Sequence, residues 1–125
     1  MSPGQTTPPD GLTGERVRGV LVVRMPAGSD LTAEEAPVVR AALEDHAAGE
    51  DELVFDLGDV RFVDSSGIGT IVGVSRTLDR AGGQLRLARP SREASAAFEL
   101  VRLHRLLEIH PTVEDAVDHA TGSPS

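Results

Sequence analysis

The sequence contains no Cys, Trp, Tyr or Lys, and all 12 of its basic residues are Arg. Without lysine there is no P-loop amine to reach a nucleotide's phosphates, no Schiff base and no Ser-Lys nucleophile pair. Without cysteine, disulfides, thiolate catalysis and cysteine-based zinc sites are excluded. The only aromatic side chains besides histidine are three Phe, which offer no platform for stacking bases, and the net charge of −8 opposes a phosphate backbone. Direct contact with nucleic acid is therefore not expected, and acidic or anionic partners are disfavoured. Long apolar runs are missing as well: the longest run of large aliphatic residues is Val20-Leu21-Val22-Val23, far below the roughly 20 residues of a membrane span. The first eleven residues, Met1 to Gly11, have neither a basic region nor an apolar core of the kind a secretory signal needs. A cytoplasmic protein without a membrane segment is the expectation.

What is present suits one globular domain. The chain has 125 residues, 39% of them hydrophobic, a size at which about two-thirds of the unfolded surface can be buried. Three of the eight prolines lie in the first nine residues, and the chain ends Thr121-Gly122-Ser123-Pro124-Ser125. This composition predicts disordered tails over 1–12 and 121–125 around a domain spanning 13–120.

Apolar periodicity orders the elements inside that domain. Leu12 to Val17 and Val20 to Met25 alternate around Arg18-Gly19, as a β-hairpin does. Ala33 to Ala48 is helical; Thr32 and Glu35 have capping-box spacing, and Pro37 places the start of the main helix near itself. Leu53 to Leu57 is a buried strand, followed by a Gly58-Asp59 turn and the apolar pair Phe62-Val63. Ile68, Ile71, Val72, Ser75 and Leu78 mark an amphipathic helix that stops near Ala81-Gly82-Gly83. Leu85 and Leu87 mark a strand, Glu93 to Val101 a helix, Leu107 to Ile109 a short strand, and Thr112 to His119 a last helix capped by Thr112. This order predicts an α/β fold: a mixed sheet that begins with a hairpin and carries about four helices.

The chemistry-bearing stretch is Phe62-Val63-Asp64-Ser65-Ser66-Gly67-Ile68-Gly69. Its short polar residues fall between a strand and a helix, where backbone N–H groups are unpaired and the helix dipole is positive. Either Asp64 or a serine caps the helix there, and the other hydroxyl faces solvent. Gly67 and Gly69 resemble a dinucleotide fingerprint only in part, because its third glycine position holds Val72. A nucleophile elbow needs glycines two residues either side of the serine; Ser65 has Val63 and Gly67 there, and Ser66 has Asp64 and Ile68. The histidines, His46, His104, His110 and His119, show no metal-ligand spacing such as a pair at i, i+4. No catalytic residue, metal or cofactor is expected.

The run from Leu53 to Gly69 resembles the central signature of STAS domains, specifically the single-domain anti-sigma-factor antagonists of bacterial partner-switching systems. Gly82-Gly83-Gln84-Leu85 and the stretch from Ser91 to Val117 are similar to that family's later elements, so that the likeness covers about Val17 to His119. The resemblance implies a binding module and phosphorylation substrate that is not itself an enzyme. The unphosphorylated form would bind an anti-sigma factor that is also a GHKL-type serine kinase and so release the sigma factor. Phosphorylation on Ser65, with Ser66 as the second candidate, would end that binding, and a PP2C-type phosphatase would reset it. Asp30, Asp64, Ser66, Gly67, Ile68 and Gly69 are the implied partner-binding residues, with Ser66 also a candidate cap, the two glycines giving close backbone approach, and a monomer or weak dimer the implied state. The family's usual Gly-Glu/Asn-Leu-Asp run is replaced by Met25-Pro26-Ala27-Gly28-Ser29-Asp30, in which Asp30 alone keeps a comparable place and has helix capping as its other reading. Arg61 either pairs with Asp59, faces a partner or is simply solvated. The alternative function is an unphosphorylated STAS scaffold or regulatory subunit of a stress-signalling or transporter assembly.

Overall fold

The computed structural model describes residues 11–122, so the expected tails fall outside the described residues except at their inner edges. At those edges Leu12 is fully buried, and the last helix runs to Thr121.

The hairpin pairs β1 (Thr13–Val17) with β2 (Val20–Arg24), antiparallel, about the left-handed Arg18 and Gly19. From β2 the main sheet continues through parallel pairings to β4 (Glu52–Asp56), β6 (Gln84–Ala88) and β7 (Glu108–His110), giving the order β1-β2-β4-β6-β7. β2 and β4 read as near-continuous apolar runs because both faces are covered, whereas β6 carries the buried Arg86 between its two leucines. Leu53, Phe55, Leu85 and Leu87 face a core built with α1 (Ala36–Ala47), α2 (Ser65–Arg80) and α3 (Arg92–Leu100). Val20, Val22, Val54 and Ala88 face the smaller core formed with α4 (Val113–Thr121). Strand alternation thus splits the molecule into two layers of helix around one sheet.

Helix boundaries follow their local chemistry. Pro37 lies in the first turn of α1, and the Thr32 N–H and hydroxyl both donate to the Glu35 carboxylate ahead of it. The end of α2 is a Schellman motif: the Gly82 N–H bonds to the Asp79 carbonyl at 3.0 Å and the Gly83 N–H to the Leu78 carbonyl at 2.8 Å, with Gly82 at φ +84°. Thr112 caps α4 by accepting the Asp115 N–H at 3.0 Å.

Two departures from the sequence reading shape the site. The Met25 to Asp30 stretch is not only a loop, because Ser29–Leu31 forms a short strand, β3, parallel to β5 (Val60–Val63). These two strands make a separate small sheet beside the main one. Asp30 therefore sits in a strand and caps no helix.

Candidate functional site

The small sheet delivers β5 to the start of α2, and the geometry of that junction follows from one residue. Asp64 takes an extended backbone (φ −102°, ψ −172°), ends the strand by donating its N–H to the Leu31 carbonyl at 3.2 Å, and becomes the N-cap of α2. One carboxylate oxygen accepts the Gly67 N–H at 3.0 Å. The other accepts the Ala33 N–H at 3.1 Å, tying down the segment that leads into α1. Asp64 is thus both cap and clamp, and Ser66 does not cap the helix as one reading allowed. A side-chain cap satisfies only part of a helix's first four N–H groups.

The serines remain free. Ser65 and Ser66 are the first two residues of α2, both are exposed, and neither hydroxyl forms a hydrogen bond among the described residues. No acidic residue lies in the first turn beyond the cap itself. Gly67 is buried for a steric reason: a Cβ there would lie 2.3 Å from the Leu31 carbonyl oxygen. Gly69 is different, since a Cβ there would meet only open space, so of these two glycines only Gly67 is required by close approach within the protein. Ile68 is half-buried against the main core.

Around the serines the surface mixes acid and apolar groups. The Glu35 carboxyl is held below its usual range by its hydrogen bond from the Thr32 hydroxyl, while the nearby Asp64 charge opposes that shift. Asp30 pairs with Arg61 at 3.3 Å, so Arg61 takes Asp30 as its partner and not Asp59. Phe62 projects beside this pair and is 61% exposed. The Ser91 hydroxyl donates to the Arg61 carbonyl at 3.2 Å and accepts the Ala94 N–H at 3.0 Å, fixing the start of α3 against β5. A shallow groove runs here past Gly28, Asp30, Arg61, Phe62 and Ser91.

Two further clusters were missed by the sequence reading. At the end of β4, the buried Asp56 accepts hydrogen bonds from two Arg89 guanidinium nitrogens, Nε and Nη2, at 2.9 and 2.8 Å, and from the Gly58 N–H at 2.9 Å, with Arg24 at 3.6 Å. This bonding raises the Arg89 pKa, burial opposing it; Arg89 has φ +55°, and its guanidinium lies over Gly58, where a Cβ would be 2.3 Å from it. The only advance signal was an acidic residue closing an apolar strand. The second cluster, Glu108, His110 and His119, lies on the α4 side of the sheet, away from Ser65. Its spacing joins a strand to a helix, which a search for helical i, i+4 pairs does not detect.

Fold, junction and sequence agree with one class of protein. The family model for the STAS domain matches residues 13–116, and the chain belongs to the STAS domain family. Among its relatives is the anti-sigma-B factor antagonist of Bacillus subtilis, 27% identical over 95 residues, covering 76% of this chain and 87% of the relative. A STAS-domain anti-sigma-factor antagonist of Planctomyces limnophilus superposes with a TM-score of 0.80 at 18% identity, over 88% of this chain and 97% of the other. The phosphorylated form of the Bacillus cell fate determinant SpoIIAA superposes with a TM-score of 0.62 at 23% identity, over 86% and 97% of the two chains. No helix among the described residues is long and apolar enough to cross a membrane.

Proposed function

We propose that this chain is an anti-sigma-factor antagonist switched by phosphorylation of Ser65. In this reading the unphosphorylated protein binds an anti-sigma factor that is also an ATP-dependent serine kinase, and the bound sigma factor is released. Phosphate on Ser65 dissolves that complex, and a phosphatase restores it. The chain acts as a cytoplasmic substrate and binding module, with no turnover of its own.

The observation that carries the reading is an exposed, unbonded Ser65 hydroxyl at the head of α2, beside a carboxylate whose two oxygens are both committed to backbone amides. Asp64 can hold the helix start rigid without engaging the serine, which leaves the hydroxyl free to enter a kinase. A phosphoryl group would bring about −1.5 to −2 charges. In the free protein, the unpaired N–H groups of the first helical turn can accommodate it with little rearrangement. In a complex, that dianion would be desolvated near Asp64, Glu35 and Asp30. Leaving a buried charge badly paired costs on the order of 2–5 kcal/mol, a change of more than tenfold in affinity. Phe62 supplies the apolar anchor that such an interface needs at its centre. The fold accommodates a phosphoryl group in at least one neighbour, since SpoIIAA is known in a phosphorylated form.

The test is binding to a purified anti-sigma partner by isothermal titration calorimetry. Ser65→Ala should bind like the parent and Ser65→Glu at least tenfold more weakly. Equal affinity of the two variants would refute the switch at Ser65.

A further inference from the structure

The side chains of Glu108, His110 and His119 converge at one place that takes no part in the Ser65 junction. Glu108 and His110 are two residues apart on β7 and so point to the same face of the sheet. Directly after β7 the chain turns at Pro111 and Thr112 into α4, which folds back over that face and brings His119, in its last turn, above the strand. The Nε2 atom of His110 lies 2.8 Å from Glu108 Oε1, and the Nδ1 atom of His119 lies 3.3 Å from the same oxygen. All three donor atoms fall within 4.8 Å of one another, and the two imidazole rings are 4.5 Å apart. A tetrahedral ion with bonds of 2.0–2.1 Å holds its ligand atoms roughly 3.4 Å apart. The cluster is therefore already close to ligating geometry.

The surroundings support coordination. The second Glu108 oxygen accepts from Gln84 Nε2 at 3.1 Å, and Arg86 Nε donates to Oε1 at 3.1 Å while its other end is held by Glu52 and Gln84. Such outer contacts fix the orientation of a ligating carboxylate, and the Glu52 charge offsets that of Arg86. A cation gains further from the negative C-terminal end of α4 and from the acidic chain as a whole. His110 is buried whereas His119 is more than half exposed, so that three protein ligands leave a position open to solvent.

We propose that Glu108 Oε1, His110 Nε2 and His119 Nδ1 bind one divalent transition-metal ion of the zinc class, with a water in the fourth position. Two imidazoles and one carboxylate suit Zn²⁺, Co²⁺ or Ni²⁺ over Mg²⁺ or Ca²⁺, which demand more oxygen ligands. On binding, the ion takes the lone pair of His110 Nε2 and of His119 Nδ1; each neutral ring then carries its one proton on its other nitrogen, and a ring that was an imidazolium releases its extra proton to solvent. The ion would then clip the end of α4 to the edge strand of the sheet. Titrating the untagged protein with Zn²⁺ at pH 7.5 should show one saturable equivalent and a rise in melting temperature that EDTA reverses. Because His110 is buried, the exposed ligand gives the cleaner variant: His119→Ala should weaken Zn²⁺ binding at least tenfold, in the range typical of lost metal-site residues. His104→Ala, which alters an exposed histidine outside the cluster, should leave it unchanged. Absence of saturable Zn²⁺ binding to the parent protein, or undiminished binding to His119→Ala, would overturn the proposal.

Discussion

Two aspartates end consecutive strands of the chain, eight residues apart, and the protein uses them in opposite ways. Asp56, at the end of β4, is 1% exposed and sealed by the Arg89 fork, with Arg24 close behind. Asp64, after β5, meets no cation among the described residues and divides its two oxygens between the amides of Gly67 and Ala33. The first arrangement neutralises charge and closes a surface. The second leaves negative charge in place beside two free hydroxyls. The contrast separates a carboxylate that holds the fold from one that also presents a site, and it does so by partner type, since both lie at strand ends within one short stretch of sequence.

The largest effect should come from Asp56→Ala. Breaking a buried ion pair costs about 3–5 kcal/mol; because Arg89 can swing into solvent, we expect about 2–4 kcal/mol, read by urea unfolding, with Ser65 still phosphorylated in the folded fraction. Gly67→Ala should be next, at about 1–3 kcal/mol, since its Cβ must displace the Leu31 backbone and so loosen β3 from α2. Asp64→Ala removes the cap and the clamp on Ala33 together and should cost about 1–2 kcal/mol. Unlike Asp56→Ala, it should also weaken partner binding beyond the lost stability, measured at a temperature where both variants are fully folded. Ser65→Ala should change stability by less than about 0.5 kcal/mol, as an exposed, unbonded side chain implies. An Asp64→Ala variant that bound its partner with parental affinity would erase the distinction between the two carboxylates.

Much of this was legible before any coordinates. The hairpin, the α2 stop at Gly82-Gly83 and the Thr112 cap are local devices whose residues carry their own geometry, and each appears where periodicity and capping placed it. The Asp64-Ser65-Ser66 junction was equally readable, because a strand-to-helix turn exposes whatever short polar residues occupy it. What sequence could not show was pairing across distance. The strand Ser29–Leu31 is three residues long and exists only because β5 lies alongside it. The cap bond from Gly67 to Asp64 is local, but the bond of the carboxylate's second oxygen to Ala33, 31 residues away, could not be read from sequence. Arg61 had Asp59 near in sequence but Asp30 near in space, and the Glu108, His110 and His119 cluster required α4 to fold back over β7.

The central claim is that Ser65 is the hydroxyl this junction offers to a kinase. Its most direct test is to incubate the protein with the ATP-binding anti-sigma partner and map phosphate by tandem mass spectrometry on parent, Ser65→Ala and Ser66→Ala chains. The account predicts one phosphate on Ser65 in the parent and in Ser66→Ala, and none in Ser65→Ala. Phosphate on Ser66 of the parent, or an equal yield on Ser65→Ala, would contradict it.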